Sequence, residues 1–123
     1  MILKTYARVF TNDLAASLPL FQQLIGREPD VRFTYGEWEI VGIGDILLVA
    51  GTDEALAPIR GSYGPLIVDD LAATQLQLEQ AGAVIVQPAA VGPTGTLLYA
   101  RHPDGSTVEY LQFTPELVKQ IIK

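Results

Sequence analysis

The stretch "TNDLAAS" at 11–17 returns almost unchanged as "VDDLAAT" at 68–74. Upstream of each copy lies a strand-like segment, "LKTYARVF" from Leu3 and "SYGPLIV" from Ser62. In the first, Thr5, Ala7 and Val9 alternate with Tyr6, Arg8 and Phe10, the period of two that a strand imposes. Asp13 and Asp70 stand at the boundary, where a carboxylate accepts the N–H groups left free in a helix's first turn and its charge suits the helix N-terminus. Each phrase therefore follows a strand and caps a helix.

The helices are predicted to end near Gly26 and Gly82, since glycine takes the left-handed conformation that closes a helix cheaply. In the second helix Leu71, Thr74, Leu78 and Ala81 form one stripe. Pro19 lies past the first turn of the first helix and predicts a kink there, not a break. Strand-forming segments follow each helix: "VRFTY", "WEIVGI" and "ILLVAG", then "AVIVQ", "TLLYAR" and "STVEYLQF". The turn residues "GE", "GD", "GPTG" and "HPDG" separate them. Each half reads strand, helix, three strands: module 1 over about 1–51, a linker "TDEALAPIRG" at 52–61, and module 2 over about 62–113. A C-terminal helix is predicted over 114–123, with Thr114 as cap and Pro115 at its first position.

A chain of 123 residues, 49% hydrophobic and 18% charged, has the size of one domain with a real core. It has no cysteine, which excludes disulfides, thiolate nucleophiles and cysteine metal sites. A formal charge of −6 repels nucleic-acid phosphates and anionic lipid, and favours cationic small molecules mildly. No apolar run approaches the roughly 18 to 20 residues of a membrane span, and "MILKTYARVF" lacks the order of a secretion signal, so a cytoplasmic protein is expected. No G-x-S-x-G elbow occurs, and "GIG" at 42–44 lacks the following helix that would cradle a phosphate.

The doubled pattern, with "NDLAASLPLFQQLIG" as first helix and "RHPDGSTVEYLQ" as closing hairpin, resembles the vicinal oxygen chelate superfamily of glyoxalase, bleomycin-resistance and extradiol dioxygenase proteins. The resemblance runs from Leu3 to Phe113. It implies an α+β fold in which two βαβββ modules pair curved mixed sheets around a cup, with helices on the outer face. Metal-using members place four ligands in that cup. Seven positions before each capping Asp, where the family often carries His or Gln, this chain has Tyr6 and Tyr63. The third position falls on Leu48 or Val49, and Glu109 matches the fourth. A phenol titrating near 10 is no ordinary divalent-metal ligand at neutral pH, and one carboxylate cannot hold a catalytic zinc. No metal or other cofactor is expected. His102, the single histidine, stands where the family's hairpin usually has Asp, and is expected at the surface with no catalytic role.

The family geometry puts aromatic and ionic side chains at the cup, and the candidate ligand-binding residues are Tyr6, Arg8, Trp38, Tyr63, Tyr99, Arg101 and Glu109. Ring faces with a few charges suit a planar ligand. Phe10, Phe33 and Tyr35 read equally well as core. Arg8 and Glu109 can pair with each other or with a ligand, and Trp38 can stack on a ligand or cover a dimer edge. Loss of the metal-ligand set favours a metal-independent binding protein that sequesters a small aromatic or cationic compound, as antibiotic-resistance members do. The alternatives are a lyase, isomerase or dioxygenase-type enzyme of the same superfamily, or a fold kept for interaction alone. A homodimer is expected from the resemblance and the apolar composition. With Tyr6, Tyr63 and Glu109 at the ligand positions, elemental analysis of purified protein should find less than about 0.1 equivalent of zinc, nickel, iron or manganese. Near-stoichiometric metal that disappears in Glu109→Ala would reverse that reading.

Overall fold

The computed structural model describes residues 1–122. In chain order the elements are β1 (Ile2–Thr5), β2 (Ala7–Thr11), α1 (Leu14–Ile25), β3 (Val31–Tyr35), β4 (Trp38–Ile43), β5 (Ile46–Ala50), α2 (Asp53–Leu56), β6 (Ser62–Val68), α3 (Leu71–Gln80), β7 (Val84–Gly92), β8 (Gly95–Arg101), β9 (Thr107–Phe113) and α4 (Pro115–Ile121). Two compact units result: Ala7–Arg60, and residues 1–6 together with the chain from Gly61 onward. We call them the first and second units.

In the first unit the strands run β2-β5-β4-β3, with β2 parallel to β5 and the other pairs antiparallel. Asp13 caps α1 by accepting from the Ala16 N–H, and Gly26 closes it at φ 78°. The helix continues through Pro19 to Ile25. Leu14 and Leu18 bury themselves against Val41, Leu48 and Ala50, with Val9, Phe21 and Ile46 around them.

The second unit repeats the plan. Its order is β1-β6-β9-β8-β7, with β6 parallel to β9. Asp70 caps α3 by accepting from the Ala73 N–H, and the Gln112 side chain accepts from the Leu71 N–H at 2.7 Å, tying the helix start to β9. Leu71 packs with Val68, Leu98, Ala100, Val108 and Tyr110. The two sheets with their helices are the α+β arrangement of two βαβββ modules.

Three details depart from the sequence reading. The strand expected over "LKTYARVF" is two strands, divided at Tyr6 and belonging to different sheets. The Tyr6 N–H donates to the Pro65 carbonyl at 3.2 Å and the next N–H, of Ala7, to the Asp45 carbonyl at 2.8 Å, so consecutive residues join different partners. The stretch 52–60 groups with the first unit, because α2, capped by the Thr52 hydroxyl, buries Ala55 and Leu56. Strand β7 runs beyond "AVIVQ" to Gly92, and Pro88 is tolerated because β7 is an edge strand. The C-terminal helix is present as α4, capped by Thr114; Lys123 lies outside the described residues.

Leu98 is fully buried between β9 and α3, whereas Leu76 is 61% exposed on α3. Leu98→Ala should therefore lower the unfolding free energy by about 2–5 kcal/mol. Leu76→Ala should stay within about 0.5 kcal/mol of the parent. Urea denaturation of the two variants measures the contrast.

Candidate functional site

Register assigns every strand residue of the first unit to a face. Val9, Leu48 and Val41 are partners across β2, β5 and β4, and all lie under α1. The residues between them point the other way: Arg8 beside Leu47, Phe10 beside Val49, Val49 beside Ile40, Ile40 beside Phe33, and Trp38 beside Tyr35. The sheet face away from α1 thus carries Phe10, Phe33, Tyr35, Trp38 and Arg8 around buried Ile40, Leu47 and Val49, while the rings keep part of their surface exposed. Of the two residues open for the third ligand position, Val49 is on this face and Leu48 is under the helix. Neither has a donor atom.

Trp38 is anchored. Its indole N–H donates to the Ala55 carbonyl at 2.7 Å, and its ring meets Tyr35 edge-on at 6.1 Å. Arg60, absent from the candidate set, places its guanidinium 5.5 Å from the centre of the Phe10 ring and 3.5 Å from the Asp53 carboxylate. Nothing in the sequence singled it out, because it lies in the segment read as a linker.

In the second unit Tyr99 is the partner of Glu109, Leu97 of Leu111, and Arg101 of Thr107, all on the face away from α3. Glu109 is buried at 8% exposure, Tyr99 partly buried and Arg101 exposed. The two tyrosines that the sequence put at equivalent positions have opposite environments. Tyr6 is buried with the Lys4 ammonium 4.9 Å above its ring, whereas Tyr63 is 63% exposed. The register slips between Tyr63 and Leu66, and Tyr63 is the partner of Val108, a residue of the helix-side core. The structure thus groups Arg8 with Trp38, and Tyr99 with Arg101 and Glu109. Tyr63 stands apart from Glu109 by register.

His102 does not behave as a lone surface histidine. It is half-buried, and its Nε2 lies 2.8 Å from the Tyr110 hydroxyl with the two rings nearly parallel. The "HPDG" turn accounts for this. The His102 N–H donates to the Ser106 carbonyl and the Gly105 N–H to the His102 carbonyl, which aims the imidazole back at β9.

Among the described residues no group of three His, Cys, Asp or Glu side chains is placed to hold a metal ion. An open cleft of about 580 Å³ near the start of α1 is lined by Asn12, Glu37, Glu39 and Asp53 among others. Glu39 there is paired with Arg32 at 2.7 Å, and the Asn12 amide donates to Asp53 at 3.0 Å.

This architecture is the glyoxalase-like fold of the vicinal oxygen chelate proteins. A Streptomyces coelicolor methylmalonyl-CoA epimerase variant in complex with 2-nitronate-propionyl-CoA superposes with a TM-score of 0.70 at 16% identity, over 93% of this chain and 99% of that one. A hypothetical protein of Bacillus halodurans C-125 gives 0.71 at 12% identity, over 91% and 94%. At those identities the likeness concerns the fold. An uncharacterized protein from Methanosarcina mazei is 33% identical over 93% of this chain and 94% of that one, with a TM-score of 0.88, and the chain belongs to that protein's family. No family model matches the chain, and no curated protein matches its sequence.

Burial pushes the Tyr110 phenol above its ordinary value near 10. The folded state therefore holds this proton more tightly than the unfolded chain. The associated stability is complete below about pH 10 and is lost as pH rises through the folded value. Thermal unfolding between pH 8 and 11.5 should show the parent losing its advantage over Tyr110→Phe at the alkaline end. A constant difference between the two would count against the assignment.

Proposed function

We propose that the chain is a metal-independent binding protein for a small planar aromatic compound. The carrying observation is the α1-free face of the first unit, where four aromatic residues, Phe10, Phe33, Tyr35 and Trp38, surround an apolar floor of Ile40, Leu47 and Val49 with Arg8 alongside. Burying one side of a strand's residues under a helix suffices for a core, and leaving this many rings partly exposed on the other side is the composition of a stacking platform. Arg8 and Trp38 of the sequence-derived set belong to it. The choice of binding over turnover rests on the donor set, because Tyr6, Val49 and Tyr63 offer no ligand that would join Glu109 at neutral pH.

A second reading is supported by one feature of the second unit. Glu109 is a buried carboxylate with Tyr99 as its cross-strand partner and Arg101 on the same face, an arrangement that suits proton transfer in an isomerase or lyase.

A thermal-shift screen of planar aromatic metabolites and antibiotics separates the two. The expected hit is recovered unchanged by mass spectrometry, binds several-fold more weakly to Phe33→Ala, and binds undiminished to Glu109→Gln. A hit returned chemically altered by the parent and unaltered by Glu109→Gln makes the protein an enzyme.

A further inference from the structure

We propose that Asp104–Gly105, in the turn joining β8 to β9, is a site of self-modification by backbone isomerisation, and that the folded turn blocks the reaction until the hairpin opens. The inference is independent of the binding reading above. Of the chain's aspartates, Asp104 alone precedes glycine. Both residues are exposed, and a side chain added at Gly105 would find no heavy atom within 4 Å, so water reaches the bond and no neighbour crowds the glycine. The Gly105 amide nitrogen attacks Cγ of the protonated Asp104 carboxyl. A new N–Cγ bond forms as the N–H proton and a hydroxyl leave together as water, and the product is a five-membered cyclic imide. Water then adds at either imide carbonyl and breaks one C–N bond. Opening at Cγ restores aspartate, whereas opening at the backbone carbonyl leaves the chain running through the side chain as isoaspartate. Water is the only other reactant.

The turn opposes the first step at both reacting groups. The Gly105 N–H donates to the His102 carbonyl at 2.9 Å, which holds the nitrogen toward His102 and away from Cγ. The Ser106 N–H donates to Asp104 Oδ1 at 2.9 Å, and the hydrogen bonds from Ser106 hold the Asp104 carboxyl below the usual carboxylate range. The group stays an anion, which is a poor electrophile. His102 secures the turn to the sheet: its N–H donates to the Ser106 carbonyl at 2.8 Å, and its Nε2 lies 2.8 Å from the Tyr110 hydroxyl on β9. Cyclisation therefore needs these bonds to break first, and the fraction of time the turn is open sets the rate. An isoaspartate lengthens the backbone between His102 and Ser106 by one methylene, which disrupts their pairing and with it the contact to Tyr110. Tyr110 follows Glu109 on β9, so the modification reaches the strand that carries the buried carboxylate.

Prolonged incubation of the full chain at mildly acidic pH, once folded and once in guanidinium chloride, tests this, with isoaspartate located by peptide mapping. In denaturant, isoaspartate should appear at Asp104 ahead of every other aspartate. In the folded chain it should accumulate there about tenfold or more slowly. His102→Ala and Tyr110→Phe remove the two ends of the anchoring contact and leave every backbone group of the turn in place. Each should raise the folded-state rate several-fold and leave the denatured rate unchanged, and Tyr110→Phe, which deletes a single hydroxyl, carries the comparison if the alanine variant does not fold. Equal rates in the folded and denatured parent, or a folded-state rate that neither variant changes, overturn the block by the turn. Isoaspartate that shows no preference for Asp104 in denaturant overturns the site itself.

Discussion

A β-strand points successive side chains to opposite faces of its sheet, and the organisation of this protein follows from that period. In the first unit Val9, Val41 and Leu48 turn toward α1 and form its core, which leaves Arg8, Phe10, Ile40 and Val49 with no choice but the other side. In the second unit Leu98, Ala100, Val108 and Tyr110 serve α3, and Leu97, Tyr99, Arg101 and Glu109 face away from it. A one-residue slip in either sheet would exchange the two sets. The helices favour this register by burying Leu14, Leu18 and Leu71 against one of the two faces of their sheets.

The helices are themselves held at their first turns. Asp13 and Asp70 each accept an N–H three residues on, and Gln112 adds a bond from β9 to the start of α3. The short α2 is fixed differently. Its Thr52 cap and the Trp38 indole bond to Ala55 anchor it beside the aromatic face, and that anchoring brings Arg60 over Phe10. A residue four positions past a four-residue helix thus comes to lie against the aromatic face.

Charge illustrates the difference between an average and an arrangement. The chain is acidic overall, which suggests affinity for cations. Within the first unit two acids are held away from the aromatic face, Glu39 on the α1 side paired with Arg32 and Asp30 holding Arg27 at 2.6 Å, while Asp53 lies 3.5 Å from Arg60. The face with the most aromatic surface carries arginine instead.

The sequence by itself determined the local elements. The repeated Asp-Leu-Ala-Ala phrase, the glycines at 26 and 82 and the alternating strands after them specify two strand-helix-three-strand modules, since caps, breakers and period-two patterns act over a few residues. Alternation also made legible that Arg8 and Phe10 share a face and that Tyr99 and Arg101 share another, whereas the cross-strand pairing of Tyr99 with Glu109 came from the fold. Tertiary structure decided what depends on pairing between distant segments. It divided "LKTYARVF" at Tyr6 because consecutive N–H groups found carbonyls at Pro65 and Asp45, and it separated Tyr63 from Glu109 because the register of β6 slips before Leu66. It seated His102 against Tyr110 across the closing hairpin and Arg60 against Phe10 across most of the first unit. These contacts join residues whose neighbours in sequence carry no trace of one another, and only the folded backbone brings them within reach.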